Sequence, residues 1–557
     1  MDNSTVPMQM RLSYAGTTGM TVSWNTFSKL QAPTVQYGTS QDALILQAQS
    51  SDSITYPTSL TYNNHVKITG LQPDTRYYYR ILPGGPISSF RTARVPGDGT
   101  AFVAAAVVDL GLIGPDGLSE TSKNALAPGE TSTVDSLIGQ VPNFDLLLHP
   151  GDVAYADYWL DESIAGYLRN YDFSATKGAA LYEKLNNEFY DEMVPITSSK
   201  PYMIGPGNHD ANCDDGVAYW HNGQWVGGSG LCLAGQTNFT GLINHFRMPS
   251  KESGGTGNMW YSFDHGMAHF ISLDSETDLG NGLGGPDEGQ PLNSGPFGAY
   301  QNAQVDWLAA DLAAVDRTKT PWIIVMLHRG WYVDYPGGCT ACQQAFEPLF
   351  NTYGVDLVLT GHNHFYQRNA PTKNGQPDTN ELNNPSSPWY IVNGIAGHYG
   401  GKAGYTLNPP YSRFVQNQHY GWSRLTFHNC THLTHDFVVS NDDSVSDTAT
   451  LYKNRTCSFS DGSPHPSTPS PTCDEWDSNV FATDAGRSYV IECELDRVGN
   501  DLNMVWISSN KIEDCLAACD STPGCVGTSM SGTACYMKKK LGVAKHASYV
   551  RGARLIS

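Results

Sequence analysis

From about Met8 to Ala93, hydrophobic and polar residues alternate in short segments: "MQMRLSYAG", "MTVSWNT", "TVQYGTS", "NNHVKITGL" and "TRYYYRILP". Alternation at period two, interrupted by turn residues, predicts a β-sandwich over residues 1–97. From about Thr100 the pattern changes to continuous apolar runs: "AFVAAAVVDLG", "FDLLLHPGDVAY", "PYMIGPGNHD", "WIIVMLHRGWY", "VDLVLTGHNHFY" and "WYIVNGIAGHYG". Such runs fit strands buried on both faces. Helix-like segments such as "GAALYEKLNNEFYDEMVPI" and "NAQVDWLAADLAAVDR" supply the cover, so residues 98–459 are expected to form a central α/β domain. After Val439 polarity rises, and "SDGSPHPSTPSPT" reads as an extended Pro/Ser/Thr linker over 460–472. Residues 473–557 hold six cysteines and the helix-like "KIEDCLAACDS", the density of a small disulfide-rich α+β module.

A chain of 557 residues is too long for one hydrophobic core, in keeping with this multidomain division. No run of apolar residues is long enough to span a bilayer, so no membrane insertion is expected. The net charge of −21 argues against nucleic acid and against an anionic membrane surface as partners. It leaves room for a small phosphate ester held by local cations. Twelve cysteines and four Asn-x-Ser/Thr sequons, at Asn3, Asn238, Asn429 and Asn454, favour an oxidising compartment. The chain therefore reads as a secreted glycoprotein, extracellular or in a cell wall. No signal peptide follows Met1, so the sequence is expected to begin at a mature boundary. Proximity suggests the pairs Cys213–Cys232, Cys339–Cys342 and Cys430–Cys457.

The chemistry sits at the end of each apolar run. The runs end in Asp109, in Gly151-Asp152-x-x-Tyr155, in Gly207-Asn208-His209-Asp210, in Val325-x-x-His328 and in Gly361-His362-x-His364. In open α/β sheets ligands gather beyond the carboxyl ends of strands. Hard oxygen donors mixed with imidazoles suit iron, zinc or manganese. Seven donors (Asp109, Asp152, Tyr155, Asn208, His328, His362 and His364) are too many for one ion. They fit two ions that share a bridging carboxylate and clamp the attacking and leaving oxygens of a phosphate ester. A free phenol has a pKa near 10, so a Tyr155 phenolate in acidic medium needs a strongly polarising cation, and Fe(III) is such a cation.

This ordered set, Asp / GDxxY / GNH / VxxH / GHxH, resembles that of the purple acid phosphatases within the metallophosphoesterase superfamily. "GNMWYSFDHGMAHFISLDSETD" adds to the likeness, which covers residues 8–440. The resemblance implies two mixed sheets flanked by helices in the central domain. It implies that Asp109, Asp152, Tyr155 and His364 bind Fe(III), and that Asp152, Asn208, His328 and His362 bind a divalent ion, Zn, Fe or Mn. It also implies hydrolysis of phosphate monoesters by a metal-bound hydroxide at acidic pH. His209 then stands next to Asn208 as a phosphate contact that can protonate the leaving oxygen, and Asn208 lies at the substrate as well. His149, before the GD motif, is read as a packing residue. Plant members carry a further histidine pair beyond the VxxH histidine, and "HRGWYVDYPGGCTACQ" has none there; Arg329 or His398 is the candidate replacement. Asp210 stands where many relatives carry Glu.

The flanking modules resemble known folds too. "ITGLQPDTRYYYRI" is similar to fibronectin type III modules. "KIEDCLAACDS", "PGCVGTSM" and "TACYMKK" are similar to PAN/apple modules of fungal-type relatives, which implies the pairs Cys473–Cys493, Cys515–Cys535 and Cys519–Cys525, with a carbohydrate or protein as ligand. Two other readings compete. One keeps the metal centre and changes the substrate, to a phytase or a nucleotide phosphodiesterase or pyrophosphatase. The other is a wall or matrix binding protein with a vestigial site.

Overall fold

The computed structural model describes residues 3–111, 126, 129–160, 163, 175–213, 218–221, 223–227, 231–279, 296–300, 302–397, 403–456, 480–483, 487–507, 512–531, 533–542 and 544–556. His398, Cys457, Cys473 and the linker 460–472 lie outside the described residues, as does the side chain of Asn3. The chain divides into two compact units, one of Met1–Gly99 with Val103–Phe459, the other of Thr100–Phe102 with Ser460–Ser557.

The alternating segments at the N-terminus form two four-stranded sheets. One has the order Met8–Tyr14, Met20–Thr26, Tyr62–Ile68, Ser53–Ile54; the other Leu46–Gln49, Thr34–Gly38, Arg76–Leu82, Ile87–Arg91. Alternation alone predicts one wet face, yet Met20–Thr26 is buried at every position. The reason is polar packing against the central domain. Arg11 Nε donates to His245 O (2.5 Å) and its Nη1 to Asn25 Oδ1 (3.0 Å). Gln9 Nε2 donates to Asn187 Oδ1 (3.0 Å), while Tyr56 and Thr58 donate to the two oxygens of Glu183 (2.7 and 2.8 Å). A buried polar group is tolerable only when partnered, and these are.

The apolar runs of the central domain become strands: β1 (Phe102–Ala106), β2 (Leu146–Pro150), β3 (Tyr202–Gly205), β4 (Tyr261–His265), β5 (Ala268–Ser272), β6 (Trp322–Arg329), β7 (Leu357–Gly361), β8 (Tyr366–Asn369), β9 (Trp389–Asn393), β10 (Ser412–Gln416), β11 (Gly421–Phe427), β12 (His432–Val439) and β13 (Val445–Tyr452). One mixed sheet has the order β3-β2-β1-β11-β12-β13, the second β4-β5-β6-β7-β9-β8-β10. Within them β1, β2 and β3 run parallel, as do β5, β6, β7 and β9. β2, β6, β7 and β9 are buried at every position, which is why their sequences show no alternation.

The longer helices of this domain are α1 (Thr133–Gln140), α2 (Ala175–Thr197), α3 (Ala303–Ala314) and α4 (Thr340–Tyr353). Leu308 and Leu312 of α3 and Phe346 and Phe350 of α4 pack on Ile271, Ile323, Val325 and Val358 of the second sheet. Each such fully buried side chain contributes about 1.5–3 kcal/mol. This core fixes β6 and β7, whose ends carry His328 and His362.

In the second unit a six-stranded sheet, ordered Val480–Ala482, Ser488–Asp496, Lys545–Leu555, Gly527–Ser531, Ala534–Lys538, Asp501–Trp506, accompanies the helix Ile512–Asp520. Cys515–Cys535 and Cys519–Cys525 are disulfides here, as are Cys213–Cys232 and Cys339–Cys342 in the first unit. Cys430 and Cys493 are also disulfide-bonded, and the pairs expected for them involve residues outside the described ones. Asn238, Asn429 and Asn454 are exposed.

Candidate metal centre

Five strands from two sheets deliver the predicted donors to one place. Asp109 follows β1, Asp152 follows β2, Asn208 follows β3, His328 lies at the end of β6, and His362 follows β7. Four of these candidate ligands have left-handed backbone although none is glycine: Asp109 (φ 57°), Asp152 (52°), Tyr155 (50°) and His362 (66°). Such positions cost about 1–3 kcal/mol each and persist where the surroundings over-determine them. Here the β1 and β2 ladder continues past the strands: Leu110 N donates to Asp152 O (3.3 Å) and Gly111 N to Val153 O (3.0 Å). Asp210 locks the loops together by accepting from the backbone N–H of Asp152 (3.0 Å), Val153 (3.1 Å) and Gly207 (2.9 Å). Two glycines make the close approach possible. A Cβ on Gly207 would collide with the Asp152 carboxylate, and one on Gly361 with that of Asp109.

The side chains fall into two groups that share Asp152. In the first, the Tyr155 hydroxyl lies 2.7 Å from Asp109 Oδ1, 2.8 Å from Asp152 Oδ2 and 3.1 Å from His364 Nε2, and His364 Nε2 is 3.3 Å from Asp109 Oδ1. In the second, His328 Nε2 lies 3.1 Å from Asp152 Oδ2 and 3.0 Å from Asn208 Oδ1, which is also 3.0 Å from His362 Nδ1. Ligands at right angles around an ion bound at about 2.1 Å are roughly 3 Å apart, so the donors are spaced as the edges of two coordination shells. His328 Nδ1 faces Pro150 O (3.3 Å), which turns Nε2 toward the donors.

The electrostatics carry the same mark. Burial, reinforced by the Asp109 and Asp152 charges, pushes the Tyr155 phenol well above its ordinary range. Burial would lower His328, but the Asp152 and Asp109 charges outweigh it and raise it to about 9. Burial would raise Asp152, yet the His328 and His209 charges and their hydrogen bonds hold it well below the usual carboxylate range. A phenol kept protonated and a histidine kept charged by the same two carboxylates are what a donor set built around cations does without them. The residues therefore fit a metal pair.

Around this centre the structure adds residues the sequence left unassigned. His209 Nδ1 lies 2.7 Å from Asp157 Oδ2, its ring stacks on Tyr158 (centroids 4.8 Å apart), and its backbone N–H donates to Asp152 Oδ1 (2.9 Å). Burial pushes Asp157 up to about 6 against the pull of His209, and Asp157 Oδ1 has no hydrogen-bond partner among the described residues. Asp157 stands two places after Tyr155, so the signal was an acid within the same turn. His149 packs on Tyr202, its Nδ1 2.6 Å from that hydroxyl. Arg329 is 1% exposed, with Nε 2.8 Å from Glu276 Oε2 and Nη1 3.0 Å from His362 Nε2.

The chain resembles known proteins over most of its length. Residues 7–92 match the family model "Purple acid Phosphatase, N-terminal domain", residues 109–366 "Calcineurin-like phosphoesterase", and residues 387–448 "Iron/zinc purple acid phosphatase-like protein C". Acid phosphatase A of Cryphonectria parasitica is 37% identical over 492 residues, 82% of this chain and 93% of that protein. An acid phosphatase of Aspergillus ficuum is 32% identical over 70% of this chain and 75% of its own length. A purple acid phosphatase from yellow lupin (Lupinus luteus) seeds shares the fold with a TM-score of 0.60 and 21% identity, covering 85% of this chain and 79% of that one. With three family models in chain order and a fungal relative matched almost end to end, this chain belongs to the purple acid phosphatase family.

Proposed function

We propose that this protein is an acid phosphatase that hydrolyses phosphate monoesters with two metal ions. The observation that carries the reading is the pair of donor groups meeting at Asp152. Asp109, Asp152, Tyr155 and His364 would hold Fe(III), and Asp152, Asn208, His328 and His362 a divalent ion, Zn, Fe or Mn. When bound, the pair supplies a nucleophile from water at low pH and offsets the charge on the transferring phosphoryl group.

The chain's own residues do the rest. Asp210 and the ladder beyond β1 and β2 hold the donor loops in place. Asp157 holds the His209 ring through Nδ1, and His209 is the residue that would carry the proton for the leaving oxygen. His209 and Asn208 are the substrate contacts in this reading, with His398 as a further candidate. Secretion to the cell exterior or wall, with glycans on Asn3, Asn238, Asn429 and Asn454, follows from the cysteines and sequons. The division at 97/98, 459/460 and 472/473 is part of the same reading. So are a fibronectin-like first module and a PAN/apple-like last one with a carbohydrate or protein ligand.

The test is hydrolysis of p-nitrophenyl phosphate and of bis(p-nitrophenyl) phosphate across pH, by wild type and by Asn208→Ala. A strong monoester preference at acidic pH, lost in the variant, is expected. A diester preference would move the protein to the phosphodiesterases. No turnover of either with metals bound would favour a binding protein.

A further inference from the structure

Among the described residues the candidate donors are not equally covered. The side chains of Asp109, Asp152 and His328 are fully buried, while 17% of the His364 side chain is exposed. His362 and Asn363 beside it are half-buried. The centre therefore meets solvent along the turn between β7 and β8. What lines that turn is what the organic part of a substrate would touch once its phosphoryl group lay at the donors.

Two segments line it. In the first, Ala403 N donates to His364 O (2.8 Å), and two residues on the Tyr405 ring meets that of Phe365 edge-on, centroids 6.3 Å apart. Phe365 is fully buried, so it holds Tyr405 next to the most open ligand. The second segment runs on from His328 at the end of β6. Its Asp334 is buried, and the carboxylate accepts from Leu407 N (2.5 Å) and Asn408 N (2.6 Å). The Asp334 carbonyl accepts from Thr406 N (3.1 Å), which lays residue 335 alongside 405–407. Tyr335, Tyr405 and Leu407 nevertheless remain 44%, 40% and 52% exposed. Single exposed apolar side chains are ordinary, but three brought to one opening by a buried carboxylate mark a binding surface.

All three offer apolar area and no positive charge, which suits an uncharged organic group and not the phosphate. Two of them are aromatic, and a ring–ring contact favours a flat aryl group by about 2- to 12-fold beyond the area it buries. From this geometry we propose that Tyr335, Tyr405 and Leu407 form a rim that receives the leaving group, and that it selects phosphate monoesters of aryl alcohols over those of small alkyl alcohols. The inference rests on the monoesterase reading above and names its substrate class.

The experiment compares two competitive inhibitors of p-nitrophenyl phosphate hydrolysis that share a phosphonate head, phenylphosphonate and methylphosphonate, on the full chain with its metals bound. Wild type should bind phenylphosphonate about tenfold or more tightly than methylphosphonate. Tyr405→Ala should cut that preference about threefold to tenfold, by weakening phenylphosphonate while methylphosphonate stays within about twofold. Tyr405→Phe should keep the preference, since a ring remains. Tyr335→Ala, in the facing segment, should cut it in the same direction, and it decides the matter if Tyr405→Ala does not fold. No preference in wild type overturns the proposal, as does an unchanged preference in both alanine variants. Equal weakening of both inhibitors overturns it too, because the rim would then act on the centre and not on the organic group. If wild type with two ions per chain hydrolyses no monoester, the underlying reading falls and this proposal with it.

Discussion

Asp157 reaches the chemistry only through His209, so its removal should separate substrates by how much their leaving group needs a proton. For Asp157→Asn we expect kcat on an alkyl phosphate to fall about 10–100-fold with KM little changed, and a much smaller loss on p-nitrophenyl phosphate, whose leaving group is stable as an anion. Equal losses on both would deny His209 the proton-transfer role. Tyr155→Phe keeps the ring that packs 4.5 Å from His209 and removes the oxygen that meets Asp109, Asp152 and His364. On the proposed assignment of Fe(III) to this group, the variant should lose the long-wavelength visible absorption and most of its iron, read by spectrum and elemental analysis. Among residues, the candidate donors were legible because their motifs follow apolar runs. Their backbone was not, since Asp109, Asp152, Tyr155 and His362 adopt a positive φ that is uncommon for any residue but glycine. Nor was the Arg329–Glu276 pair, whose members lie 53 positions apart in the chain.

Strands pair side chains that no local window connects. Across the antiparallel β4–β5 pair, Asp264 faces His269, whose Nδ1 lies 2.7 Å from Asp264 Oδ1 and whose Nε2 lies 2.9 Å from Asp311 Oδ2 on α3. Burial would lower this histidine, but the two carboxylates outweigh it and raise it to about 9. Its stabilisation is complete below the unfolded value near 6.5 and is lost as pH rises through about 9. His269→Gln should therefore cost roughly 2–3 kcal/mol at pH 5 and almost nothing above pH 10, measured by denaturant unfolding at both pH values. A cost independent of pH would mean that packing, not charge, holds α3 to this hairpin. The elements were readable where burial is simple, as in β2, β6 and β7. They misled where polar residues are buried: Met20–Thr26 alternates in sequence but is covered on both faces.

At the scale of the molecule, all seven candidate donors lie in the first compact unit. A chain ending at Phe459 should fold, bind both ions and keep kcat within about twofold of the full chain. A large loss would assign the C-terminal unit a part in catalysis. Two further buried histidines act on the acid side of stability. Burial, helped by the Arg94 charge, lowers His265 to about 3, and burial lowers His435 to about 4. Both contribute stability that is full above about 6.5 and is lost as pH falls toward their folded values. Between pH 7 and pH 4 the melting temperature of wild type should therefore fall relative to that of a His265→Gln, His435→Gln variant, which lacks both groups. A difference between the two that does not change with pH would count against these histidines being held neutral.

The buried polar contacts between the first ninety residues and the rest of their unit have one more effect. A module that meets its neighbour through a dry apolar patch can be exchanged for another of similar shape. One that sinks Arg11 against His245 and seals Glu183 with Tyr56 and Thr58 cannot. Grafting in a relative's sandwich would leave the Glu183 carboxyl and the His245 carbonyl without these partners unless the replacement supplied its own. The N-terminal sheets are therefore tied to the chain they pack on as one block, not joined to it as a detachable accessory.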